Sequence, residues 1–240
     1  MQITAEGLHF RDLNQMIRGA ADRDIYIEGC LGQRYIGNGT AGKHITIHGI
    51  PGNALGAYLD GSVIDVKGNA QDATGDTMND GQIYIDGMAG DATGYAMRGG
   101  AIFIKGNTGY RAGIHMKAYQ QKQPLLVIGG EAGSFLGEYQ AGGTIIVLGL
   151  HTEGRPPVGN FCGMGMHGGR IFLRTERLPA DLSDRLLCHP ANPAEMDGIR
   201  PALETFCNRF GEDLEEIMSS SFYVIQPDNR NPYKQLYTAN

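Results

Sequence analysis

The chain has 240 residues, a formal net charge of −6 and no tryptophan. That balance lacks the basic stripe a nucleic-acid partner calls for, and no apolar run approaches the ~20 residues of a membrane span. Glycine, at 37 residues, is about twice its usual ~7% share, yet the glycines fall at fixed phases between β-branched runs, which excludes a disordered linker.

The start, Met1-Gln-Ile-Thr-Ala-Glu-Gly7, carries neither a charged n-region nor an apolar h-region, so no signal peptide and a cytoplasmic location are expected. Residues 11–20 place Leu13, Met16 and Ile17 on one helical face, which predicts a helical N-terminal cap within residues 1–24. Such a cap protects an open strand edge that would otherwise pair with another chain.

Eight short strands follow: Ile25–Gly29, Ile45–Gly49, Ile64–Gly68, Ile83–Gly87, Ile102–Gly106, Leu126–Gly130, Ile145–Gly149 and Ile171–Thr175. Their first residues advance by 20, 19, 19, 19, 24, 19 and 26 positions. A fixed period of this size marks a repeat architecture. The fold expected is an all-β solenoid, a right-handed single-stranded parallel β-helix of about seven to eight coils over residues 25–175. Left-handed hexapeptide helices carry an aliphatic residue at every sixth position, whereas here the aliphatic pair comes once per repeat.

Within each repeat, glycine corners supply positive φ without a Cβ clash. The first and third strand positions share a face and should stack as an internal aliphatic ladder. Met78, Met97, Met116 and Met166 share one phase and read as a second internal ladder. The second position runs Tyr26, Thr46, Asp65, Tyr84, Phe103, Val127, Ile146 and Phe172, turning apolar late in the chain. An apolar outer row requires a cover. The C-terminal extension or a partner protein should supply it, the extension being the first choice.

Two steps exceed the period, at residues 117–124 and 151–157. Both predict loops leaving the repeat, as a working face or as plain surface bulges. After Arg174 the composition changes, and residues 176–240 read as a C-terminal helical extension and tail. Pro193-Ala-Glu-Met196 and Pro201–Gly211 read as helical turns, with proline at a start and glycine at a stop. Residues 212–219 suit another short helix, Phe222–Pro227 a strand, and a tail begins at Asp228.

Chemistry-bearing motifs are sparse. Gly37-Asn-Gly39 and Gly163-Met-Gly165 resemble pieces of a dinucleotide fingerprint but sit outside any βαβ unit, so they read as repeat corners. Asp72 and Asp91 suit Asx-type turns. His44 and His48 lie on one strand face, a weak signal for a metal pair that two plain outer-face residues explain better. His151, Glu153 and Arg155 sit together in the second insertion, which a surface turn explains as well. Cys30, Cys162, Cys188 and Cys207 lack CxxC spacing and read as reduced thiols. No catalytic, cofactor-binding or metal-ligating residue is therefore expected. A carbohydrate-active enzyme built on such repeats would show an aromatic cleft, paired carboxylates and a secretion signal, and ranks last.

Gly29-Cys-Leu-Gly-Gln-Arg-Tyr-Ile-Gly37 resembles the first repeat of the glycine-repeat (GXGXG) domain that closes the large subunit of glutamate synthase. Gly137–Gly149 and Asn160–Gly169, with their final Gly-Gly, are similar to that domain's last repeats, and the match covers about residues 10–175. The same module resembles one of the subunits of formylmethanofuran dehydrogenase. The glutamate synthase resemblance implies a non-catalytic spacer between glutaminase and FMN-containing synthase parts, here as a stand-alone subunit. It implies partners of those two kinds, with FMN and an iron–sulfur cluster held by them and none by this chain. Homo-oligomerisation stays open, and the extension past Arg174 departs from the pattern.

Overall fold

A computed structural model describes residues 1–152 and 154–228. Nine strands follow one another as parallel neighbours: β1 (Gln2–Thr4), β2 (Asp24–Leu31), β3 (His44–Ile50), β4 (Asp60–Lys67), β5 (Asp80–Ile85), β6 (Ala101–Ile104), β7 (Leu125–Ile128), β8 (Ala141–Val147) and β9 (Gly168–Arg174). Two more, β10 (Leu186–Pro190) and β11 (Phe222–Pro227), add antiparallel beyond β9, giving the order β1 to β9, then β11, then β10. Three helices accompany them: α1 (Phe10–Gly19), α2 (Pro193–Phe210) and α3 (Leu214–Met218).

The expected fold class is corrected by this topology. In place of an all-β solenoid, a right-handed parallel β-helix, the described residues form one open, mixed sheet of eleven strands. Among the described residues the connections between strands do not extend into further sheets. They hold only isolated bridges, such as Ala89 with Thr108 and Thr108 with Ala132, because they turn too tightly. Tyr35, Ala54, Ala73, Ala92, Arg111, Phe135 and Phe161 all have left-handed backbone, and so do Tyr58, Thr77, Ala96, His115 and Tyr139. Each such residue costs about 1–2 kcal/mol. All but Phe161, whose N–H donates to the Asp181 carboxylate at 2.7 Å, also aim their N–H at the next repeat: Ala92 donates to the carbonyl of Tyr110 at 2.7 Å and His115 to that of Glu138 at 2.9 Å. A net gain of about 1 kcal/mol per bond offsets much of that strain. The C-terminal extension is likewise not simply helical, since it contributes both antiparallel strands.

Register follows the aliphatic phase. Ile25, Ile45, Ile64, Ile83, Ile102, Leu126, Ile145 and Ile171 are successive Cα partners, and all are fully buried. The connections absorb the longer steps, so the ladder does not slip. Met78, Met97, Met116 and Met166 join the same core, as their shared phase predicts. Helix α1 covers it at the N-terminal end with Leu13 and Ile17. Met16, expected on the packed face, is instead exposed, and Asn14 takes the buried place. The Asn14 amide donates to the carbonyls of Phe10 (2.7 Å) and Arg34 (2.9 Å), so its burial leaves no donor unpaired.

Helix α2 begins with a complete capping box between Asn192 and Glu195, with Pro193 in its first turn, and stops at Gly211 in left-handed conformation. It is one helix through Pro201 rather than two turns. Its buried face, Ile199, Leu203, Phe206, Cys207 and Phe210, packs with Phe103, Val127, Ile146 and Phe172 of the sheet. That burial outweighs a proline cost of about 3 kcal/mol. The chain's own extension thus covers the apolar outer row.

Candidate functional site

Below the apolar part of the outer face, the second-position row becomes polar, and α2 is clamped there by charge. The Arg209 guanidinium bonds the buried Asp65 carboxylate, lies 3.7 Å from Asp86, and stacks over the Tyr84 ring at 5.0 Å. His44 completes the cluster, with Nε2 at 2.6 Å from Asp65 and Nδ1 at 3.6 Å from Asp24. Burial and the Asp65 charge push the Tyr84 phenol above its ordinary value. Arg209 thus ties α2 to the sheet, while His44 links Asp65 to Asp24 between strands.

The residues that stood out in the sequence are dispersed. His44 and His48 share a strand face, but His48 turns to Glu28 at 4.0 Å while His44 engages Asp65. Among the described residues no three His, Cys, Asp or Glu side chains group as a metal site. The four cysteines are free thiols. Burial pushes Cys30 up to about 11, against a backbone hydrogen bond at Gln33 that pulls the other way, and Cys162 up to about 12. Thiols held that high are protonated near neutrality and make poor nucleophiles. Gly37, Gly39, Gly163 and Gly165 are repeat corners with positive φ.

Asp72 and Asp91 do not close Asx turns of their own. The Asp72 carboxylate accepts from the N–H of Asp91 at 2.9 Å, and Asp91 accepts from that of Tyr110 at 2.8 Å. Asn69 and Asn107 do the same for Met88 and Glu131. These side chains staple one repeat to the next.

Neither insertion projects freely. In the first, Lys122 reaches back to Asp80 (2.8 Å), Asp60 (3.8 Å) and the carbonyl of Asn79 (3.2 Å). That hydrogen bond to Lys122 leads the causes holding the Asp80 carboxyl below its ordinary value, and Asp80 in turn raises Lys122. In the second, Arg155 and Thr152 share the Glu131 carboxylate, at 2.7 and 2.8 Å. A cleft of about 370 Å³ opens between this loop and residues 174–177 and 220–221, lined by Arg155, Arg174, Arg177 and several hydroxyls. Glu153 lies outside the described residues, as does the tail from residue 229.

Sequence reasoning missed one cluster of exposed and half-buried side chains. Each repeat turns on a corner glycine: Gly37, Gly56, Gly75, Gly94, Gly113, Gly137, Gly163. The residues two before and two after it are the left-handed ones, with side chains outside the core. In the later repeats these columns and their neighbours hold Tyr95, Tyr110, Arg111, His115, Phe135, Tyr139 and Phe161. His115 stacks on Tyr139 at 5.2 Å, Phe135 on Phe161 at 5.0 Å, and Tyr95 meets His115 edge-on at 5.9 Å. Arg111 lies over Phe135 at 4.8 Å and bonds the buried Glu138 at 3.0 Å. Aligning the repeats on the corner glycine, rather than on the strands, brings these columns into view.

Comparison with known proteins bears on the whole chain. The family described as GXGXG motif matches residues 22–227. An uncharacterized protein of Methanocaldococcus jannaschii is 44% identical over 249 aligned residues, covering 98% of this chain and 95% of that protein. A chain of the formyltransferase/hydrolase complex from Methylorubrum extorquens, solved with methylofuran, is similar at a TM-score of 0.65 and 19% identity. That match covers 94% of this chain and 92% of the other, and the likeness is one of fold.

Proposed function

Because the chain belongs to the GXGXG-motif family over residues 22–227, we propose that it is a non-catalytic structural subunit of a glutamate-synthase-like complex. In this reading it holds a glutaminase-type amidotransferase subunit and an FMN-containing synthase subunit in register. FMN and the iron–sulfur cluster belong to those partners, the complex works in the cytoplasm, and no reaction step falls to this chain. The observation that carries the reading is the extent of the family match: the glycine-repeat module makes up most of the chain.

The physical case rests on stiffness. Ammonia released at one active site is lost unless the next site stays at a fixed separation. Nine parallel strands at ~4.8 Å spacing span roughly 40 Å. Side-chain staples, turn-to-turn hydrogen bonds and the aliphatic ladder all resist bending of such a spacer. The Asp72 and Asp91 carboxylates serve as staples and that of Asp65 as a clamp, and the Cys30, Cys162 and Cys207 thiols are buried.

A second reading is favoured by the likeness to a chain of the formyltransferase/hydrolase complex across nearly the whole length. There the chain is the scaffold of a formylmethanofuran-dehydrogenase-type assembly. Co-expression separates the two. The chain should co-purify with glutaminase-type and FMN-containing subunits from its own genome, and alone show no flavin absorbance. Co-purification with formyl-transferring subunits instead selects the second reading, and association with neither set refutes both.

A further inference from the structure

We infer that the aromatic corner of the last four repeats docks an acidic surface of a partner subunit; this rests on the scaffold reading and deepens it. Large apolar side chains in contiguous exposed patches mark interfaces. Tyr110 is 55% exposed, Tyr139 45%, Phe161 41% and Tyr95 39%. Tyr95, Tyr139 and Phe161 are pre-ordered by stacking across repeats, so little of their side-chain entropy remains to be lost on binding. Tyrosine and arginine are the residue types that dominate interface energetics.

Charge selects the partner. In the window from two residues before to four after the corner glycine, the first three repeats hold Asp60 and Asp76 and no lysine or arginine. The same window in the last four holds Arg98, Arg111 and Lys117 against a single carboxylate, Glu138. Glu138 is buried and already engaged by Nε of Arg111. The half-exposed Arg111 thus keeps terminal N–H groups with no partner among the described residues, held in place by Phe135 beneath. In a protein of net charge −6 the corner of the last four repeats is thus cationic and aromatic, and carboxylates set among apolar side chains complement it.

The test uses the full chain co-expressed with the glutaminase-type and FMN-containing subunits and, separately, with the formyl-transferring subunits. Tyr110→Ser with Tyr139→Ser should weaken whichever complex forms at least tenfold. Arg98→Glu with Lys117→Glu should weaken it and flatten its salt dependence. Tyr58→Ser, on the same column among the acidic repeats, should change affinity less than twofold. A photo-crosslinker at position 110, but not at 58, should label acidic segments of the partner, which settles the matter even if a variant misfolds. Unaltered binding by a folded Tyr110→Ser/Tyr139→Ser variant overturns the docking inference and leaves the scaffold reading intact. Failure of the wild-type chain to bind either set removes both. Self-association lost in the double variant, or tight binding of an oligo-dT strand, also overturns it, in favour of a second copy or a nucleic acid.

Discussion

Replacing Gly113 by alanine separates two reasons for glycine at a repeat corner. Its φ of +68 is unfavourable for alanine, yet Arg111 and His115, two residues either side, adopt φ of 57 and 55 with full side chains. Backbone conformation alone therefore does not demand glycine there. A Cβ on Gly113 would lie 2.5 Å from Cδ1 of Ile145 and 3.4 Å from its Cγ1. We expect about 1–2 kcal/mol from the left-handed backbone and about 1–3 kcal/mol from overpacking. The melting temperature should fall on the order of 10 °C for a chain of this size. Ile145→Val removes Cδ1 and alone costs about 0.5–1.5 kcal/mol. In the double variant the collision is gone, so the two effects should fall short of additivity by about 1–3 kcal/mol. Urea unfolding of the four proteins measures this directly. Additivity within about 0.5 kcal/mol would mean that the interior yields freely at this corner, and the packing argument would fail.

Arg209→Leu leaves Asp65 buried with only His44 beside it and should cost about 3 kcal/mol, much of it regained by Asp65→Asn in the same chain. Limited proteolysis of α2 and urea unfolding report this, and an unchanged midpoint would remove the clamp from the stability argument. Asp80 titrates below its unfolded value, so its contribution is full above about pH 3.9 and is lost as pH falls through the folded value. Lys122→Met should flatten that acid-side decline while costing under about 1 kcal/mol at pH 7, because the pair is half-exposed and screened. At pH 8 a disulfide reagent should leave Cys30 and Cys162 untouched in the native protein and reach them on denaturation. Native-state labelling of Cys162 at the denatured rate contradicts its burial.

Much of the sheet was legible because strand phase and aliphatic period coincide. The strands read at Ile25, Ile45, Ile64 and onward are β2 to β9, and Phe222–Pro227 is β11. Short α3 falls within the span expected of it. What periodicity does not encode is how the chain behaves between strands, and there the fold class went astray. A 19-residue step fits connections that extend into sheets and connections that fold into tight left-handed turns. Strand β10 left no mark because its pairing with β11 closes across α2 and α3, and Leu186–Pro190 has no alternation of its own. The helix over Pro201 was cut in two by a local rule that tertiary burial overrides. The staples of Asp72 and Asp91, and the reach of Lys122 to Asp60 and Asp80, join residues one or more repeats apart. The aromatic corner was missed because a strand-based alignment scatters it.

The left-handed turns separate what holds a position from what it displays. At Ala54, Ala73, Ala92, Arg111 and Phe135 the same N–H meets the same acceptor in the following repeat, whatever side chain is attached. Substitution there can rewrite outward chemistry from methyl to guanidinium to phenyl without touching the interior. Descendants of one such chain can therefore exchange companions while keeping their architecture.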